Sequence, residues 1–255
     1  MIGELYQLCR LTTEAKSALF GYSRFEYEPL PYENMPEFLF LENITQCGIM
    51  ERTAKTAETW YEHLTKKGLR DIKLIVPTGV EDRNVLGFAN SLCGCMLCYF
   101  KNGEITAFIP RWSFDQSITK WNILYTEKPE LLPYKKPYFD DVTDDLREVL
   151  IEIEDLAERI GSPGFAKTFA IARAILDGEA PFGSEKLPKP KIPQKLMPLF
   201  YAADRADVFG AMGSWNDSPP YMAHEKGLDR EYDELSARLL KNIRLAVLYA
   251  VNEWR

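Results

Sequence analysis

Leu92–Trp112 reads LCGCMLCYF, then KNG, then EITAFIPRW. Two runs rich in apolar and β-forming residues flank Lys101-Asn102-Gly103, and an Asn-Gly pair suits a turn that needs positive φ. Trp121–Thr126 (WNILYT) extends the same meander by a third strand. Strands joined by short turns pair antiparallel, which argues against a doubly wound parallel sheet. The expected class is α+β, with a small mixed or antiparallel sheet and flanking helices in the N-terminal half.

Upstream of the hairpin, residues 5–20 place Leu5, Leu8, Leu11, Ala15, Ala18 and Leu19 near helical spacing. Pro29, Pro31 and Pro36 forbid a helix through the aromatic stretch that follows. Phe38–Leu41 reads as a short strand, and Thr53–Lys67 as a helix closed by Gly68. Ile72–Val76 is a strand ended by Pro77. Downstream, the pattern changes after Pro129, Pro133 and Pro137. Residues 143–160 form an amphipathic helix, 165–176 a second and 198–209 a shorter one. Asp229–Trp254 forms a last helix some 40 Å long at about 1.5 Å per residue. The division expected is an α+β region over 1–135 and a mainly helical region over 136–255, with one continuous core possible because the last helix reaches both.

The 255 residues carry 31 basic and 38 acidic side chains, a net charge of −7. Residues 140–160 hold nine acids against Arg147 and Arg159, a balance equal to the whole net charge. Such a block repels phosphate backbones and argues against a generic nucleic-acid binder. It reads either as a solvated helix face or as an acidic docking surface for a basic partner. No run approaches the roughly 20 apolar residues of a membrane span. The N-terminal MIGELYQLCR carries Glu4 and no basic-then-apolar pattern, so export is not expected and the location expected is cytoplasmic. Five cysteines, an odd set, suit reduced thiols.

The cysteines Cys93, Cys95 and Cys98 superficially resemble a thiolate metal site. A closed site usually takes four ligands in two pairs, and no second pair exists. On a strand, Cys93 and Cys95 share one face while Cys98 points to the other, so three thiolates would not converge. Packing is the expected role, with neither metal nor cofactor. Only His63 and His224 are present, with no nucleophile elbow, zinc helix or phosphate loop.

The densest polar constellation is YAADRADVFGAMGSWNDSPPYMAHEKGLDREYDEL, residues 201–235. Asp204 and Asp207 share a helix face, and a glycine-hinged loop then presents Trp215, Asn216 and Asp217 before His224. These groups suit cation binding or acid–base chemistry. They equally suit a structural loop, since Asp and Asn satisfy free backbone N–H groups and Trp215 can anchor the loop on the core. Phe209-Gly-Ala-Met-Gly-Ser-Trp-Asn-Asp217 followed by a long last helix ending Ala-Val-Asn252 resembles a group of uncharacterised bacterial proteins. The resemblance covers about the last 60 residues, implies a bacterial origin and a fixed structural role for the loop, and transfers no activity.

The leading functional expectation is a bacterial intracellular binding protein acting through protein–protein contact, with an inhibitor of a basic enzyme as one version. Its binding residues would be Glu148, Glu152 and Asp155, with Trp215, Asn216, Arg111 and Trp112. The alternative is a metal-assisted hydrolase using Asp204, Asp207, Asp217 and His224. A small-ligand sensor built on Arg111 and the aromatic arm Tyr22–Phe38 is a third option.

Overall fold

The hairpin forms around Gly103, whose φ is +86°. Strands β4 (Cys95–Phe100) and β5 (Ile105–Asp115) pair antiparallel with Leu97 opposite Ala107. β6 (Lys120–Lys128) pairs antiparallel with β5, and β3 (Leu69–Ile75) with β4. β1 (Glu37–Ile44) lies parallel to β6, and β2 (Gly48–Ala54) closes the far edge antiparallel to β1. The order β2-β1-β6-β5-β4-β3 makes a six-stranded mixed sheet. The computed structural model describes residues 3–44, 48–79, 83, 86–128, 136–182, 188–210 and 212–255.

Strand β2 departs from the sequence reading, which began a helix near Thr53. Helix α2 (Ala57–Lys67) starts only after Thr56, whose hydroxyl accepts the Thr59 N–H at 3.2 Å. Ala54 and Ala57 are both buried, and their spacing of three suits a helix face as well as a strand entering a capped helix.

One face of the sheet carries the core. Phe38, Phe40, Phe108, Ile123 and Tyr125 are buried on it, and Trp60 of α2 stacks on Phe38 with ring centroids 4.5 Å apart. Helix α1 (Glu4–Leu19) covers the same face, where the Tyr125 hydroxyl donates to Gln7 Oε1 at 2.8 Å. Its apolar positions Leu8, Leu11 and Ala15 are fully buried, but so are Gln7, Thr12 and Thr13 of its polar side. The reason is that α1 packs on β3 and β4 and also against the last helix, α7 (Asp229–Asn252). The charged side chains of a helix enclosed this way take partners from inside the protein. Arg10 therefore pairs with Glu33 at 3.5 Å, and Lys16 Nζ donates to the Asn252 carbonyl at 2.6 Å and faces Asp71 at 3.7 Å. Burial pushes the Lys16 ammonium down to about 8.

Strand β3 is an edge, and α7 closes it. The Asn252 side chain accepts the Leu74 N–H and donates to the Leu74 carbonyl, each at 2.8 Å, so one amide replaces a neighbouring strand.

The C-terminal half contains α3 (Thr143–Arg159), α4 (Pro163–Leu176), α5 (Met197–Ala206), a short α6 (Pro219–Glu225) and α7. Helix α6 was not legible in the periodicity. Buried side chains of both halves belong to one cluster. No described helix is long and apolar enough to cross a membrane.

The acidic face of α3 is met by arginines from its own and neighbouring helices. Arg238 of α7 holds Glu152 with two bonds of 2.8 and 2.9 Å and reaches Glu148 at 3.6 Å. Arg159 holds Asp155 at 2.8 Å and also pairs with Glu231, while Arg173 holds Glu154 at 3.2 Å. Partly exposed pairs like these contribute little each. Arg238→Gln is expected to cost about 0.3–1 kcal/mol in urea unfolding, less at high salt.

Candidate functional site

Phe209, Gly210 and Met212–Asp217 belong to a loop pinned at one end. Trp215 is fully buried, with Phe165, Phe169 and Tyr232 around its ring at centroid distances of 5.1, 5.3 and 5.4 Å. Its indole N–H donates to Ser236 Oγ at 2.8 Å, and its carbonyl accepts the Tyr232 hydroxyl at 2.6 Å. Asn216 Nδ2 donates to the Arg83 carbonyl at 2.9 Å, and Asp217 accepts the Gly213 N–H at 2.9 Å. The Trp215 N–H donates to the Val208 carbonyl at 2.9 Å and closes the loop base. Gly213, at φ +82°, makes the bend that returns the chain to Trp215.

Pinned there, the loop forms one wall of a cleft of about 430 Å³. Leu5 of α1, Leu86, Phe88 and Leu92 of the loop before β4, and Leu240 and Ile243 of α7 supply apolar walls. Val208, Phe209 and Met212 complete them, and Glu4, Asp207, Arg244, Ser91 and Ser214 are the polar lining. Its lining combines apolar walls with a few polar groups, a composition that small-molecule sites share.

Local structure positions the polar groups. A Cβ on Gly3 would lie 2.0 Å from the Phe88 carbonyl oxygen, which also accepts the Glu4 N–H at 3.0 Å, so α1 can start against this loop only from a glycine. Asn90, at φ +58°, pairs both ways with the Trp112 backbone at 2.8 Å and aims its own N–H at Glu4 Oε2, 2.5 Å away. Glu4 is only 4% exposed, and burial pushes its carboxyl up to about 7, against the opposing pull of the Asn90 N–H. Burial also raises Asp207, with Asp204 adding to the rise and the charges of the chain's amino terminus and Arg244 opposing it. Arg244 is buried, donates to the Pro77 carbonyl at 2.6 Å, and has its guanidinium pushed down by burial.

The four residues of the hydrolase reading fall into two pairs. Asp207 lines the cleft and Asp204 acts on it electrostatically. Asp217 and His224 are exposed and engaged locally, His224 Nδ1 lying 2.8 Å from the Asp229 carboxylate at the start of α7. Among the described residues no three metal-ligating side chains cluster. Of the residues expected to bind a partner, Trp215 is core and Asn216 ties the loop down. Arg111 is exposed whereas Trp112 is buried, as successive residues of β5 point to opposite faces, so they share no pocket. Cys93 precedes β4 at φ +53° rather than lying on the strand. Cys98 is buried and Cys95 only partly so, and Cys47 lies outside the described residues.

Glu4, Phe88 and Arg244 escaped the sequence reading. Glu4 reads as an ordinary helix-start acid. Arg244 carried a usable signal, since Leu240, Arg244 and Leu248 recur at intervals of four on a helix whose neighbouring stripe is apolar.

A Glu4 carboxyl that holds its proton to about pH 7 in the folded state, but to about 4.5 in the unfolded chain, makes the folded state the more protonated one between those values. Stability from this group therefore falls as pH rises from about 4.5 to 7 and levels above that. Glu4→Gln is expected to remove that slope and raise stability at pH 8 by about 1–3 kcal/mol, read from urea unfolding across pH.

Comparison with protein-family models, curated proteins and solved structures finds no match to the chain.

Proposed function

We propose that the protein is a binding protein whose working surface is the cleft beneath Val208–Ser214, and that it takes a small molecule with a largely apolar body. The observation that supports this reading is the convergence of Glu4, Asp207 and Arg244 on an apolar cleft of about 430 Å³. Buried ionisable groups cost stability unless compensated, and they concentrate where a ligand is handled. A basic protein docking on Glu148, Glu152 and Asp155 would first have to displace Arg238 and Arg159, so α3 supports a binding function less well. Contact with another protein is the second reading, favoured by Met212 and Tyr221, 94% and 65% exposed at and beside the loop.

Fragment mapping by amide NMR tests the proposal. The expected result is that neutral aromatic fragments perturb Leu5, Phe88, Val208–Gly210, Met212–Ser214, Leu240 and Ile243, and that Val208→Trp, a larger side chain at a partly exposed wall position, abolishes the pattern. Perturbations that concentrate elsewhere, or that survive Val208→Trp in a folded variant, contradict it.

A further inference from the structure

We infer that the occupant of this cleft is a small amine, its apolar body under the Phe209–Ser214 loop and its protonated nitrogen on the Glu4 carboxylate. The inference rests on the cleft being a ligand site, and it concerns only what kind of ligand fits.

The argument is one of charge. Three ionisable side chains line the cleft, Glu4 from α1, Asp207 after α5 and Arg244 from α7. Asp207 is opposed first by the charge of the chain's amino terminus and then by that of Arg244, and Arg244 is held by the Pro77 carbonyl. Glu4 is left over. Its side chain accepts the Asn90 backbone N–H, and among the described residues no cation compensates it. Among the described residues, the titratable groups beside it are the phenols of Tyr125 in β6 and Tyr32, whose hydroxyl oxygen accepts the Gly3 N–H, and burial keeps both neutral. His224 is on the surface and His63 packs on Phe40, with centroids 4.1 Å apart, so no imidazole serves as counter-ion.

A buried carboxyl without a counter-charge is costly to ionise, and that cost is removed by whatever brings a positive charge to it. A primary ammonium does so with three donors, while the walls of Leu5, Phe88, Leu240 and Ile243 receive an apolar body. An anion would meet two carboxyls and an arginine already held by the Pro77 carbonyl. A neutral polar ligand would bind the protonated Glu4 carboxyl, and its affinity would then fall as pH rises. The amine has the opposite dependence.

The test uses three probes of one shape, 2-phenylethylamine, 2-phenylethanol and 3-phenylpropanoate, titrated into the full chain by NMR. At pH 8 the amine is expected to bind at least about tenfold more tightly than the alcohol, with the carboxylate weakest. With a Glu4 carboxyl that titrates at about 7, amine affinity rises about tenfold between pH 6 and pH 8, while that of the alcohol does not rise. Glu4→Gln is expected to abolish the preference for the amine and leave alcohol binding in place. Should that variant not fold, the pH profiles of the unaltered protein decide alone. Equal or tighter binding of the alcohol or the carboxylate, or amine affinity that falls with pH, overturns the amine and leaves the cleft standing. If no probe perturbs the cleft residues, both the amine and the cleft reading are overturned.

Discussion

Trp215→Ala lowers the unfolding free energy by about 3–5 kcal/mol, the range for deleting a fully buried aromatic side chain. Three losses combine. The ring leaves a cavity between Phe165, Phe169 and Tyr232, and nothing in the pinned loop can move in to fill it. Ser236 Oγ, on a residue with no exposed surface, loses the indole N–H that donates to it at 2.8 Å. The loop base, held by the Trp215 N–H on the Val208 carbonyl, loses the side chain that fixes it. The variant is therefore also expected to lose fragment binding in the cleft under conditions where it remains folded. Met212→Ala, a change at a residue 94% exposed, is the matched control and is expected to stay within about 0.5 kcal/mol of the parent. Urea unfolding of the pair separates an anchoring tryptophan from one that merely sits near a site. A loss below about 1 kcal/mol for Trp215→Ala would refute the anchoring role.

Asn252→Ala is the second large effect, with an expected cost of about 2–5 kcal/mol. The side chain satisfies both the N–H and the carbonyl of Leu74, and Asn252 is 2% exposed, so water does not readily replace the lost amide. Each buried group left unpaired costs about 1–3 kcal/mol. The damage is local in origin and shared in consequence, because the Asn252 backbone carbonyl also accepts the Lys16 ammonium at 2.6 Å from the last turn of α1. Native-state hydrogen exchange is the discriminating measurement. The Leu74 amide is expected to lose protection more than amides of central strand β5. Uniform loss across the sheet would mean that Asn252 supports global packing rather than the β3 edge.

The hairpin around Asn102-Gly103 and the long last helix were legible because each depends on short-range pattern, turn chemistry in one case and helical period in the other. Strand β2 was hidden because Ala54 and Ala57 satisfy two periodicities at once. The full burial of α1 was hidden for a different reason. Arg10, Thr13 and Lys16 mark a solvent face in sequence, and only the partners Glu33, Asp71 and Asn252, distant along the chain, make that face an interior one. The late constellation divides between loop-building and cleft-lining roles that its spacing does not separate. Its Trp215 and Asn216 build the loop, its Asp207 lines the cleft, and Asp217 and His224 are spent on local turns. Glu4 and Arg244 belong to helices at opposite ends of the sequence, a juxtaposition that only tertiary packing creates.

Native mass spectrometry of the protein purified gently from its source cells tests the central claim most directly, run beside Val208→Trp. The account predicts one small molecule per chain, released on denaturation and absent from the filled-cleft variant. A second protein chain in fixed ratio with no small molecule, or the same small molecule retained by Val208→Trp, would contradict it.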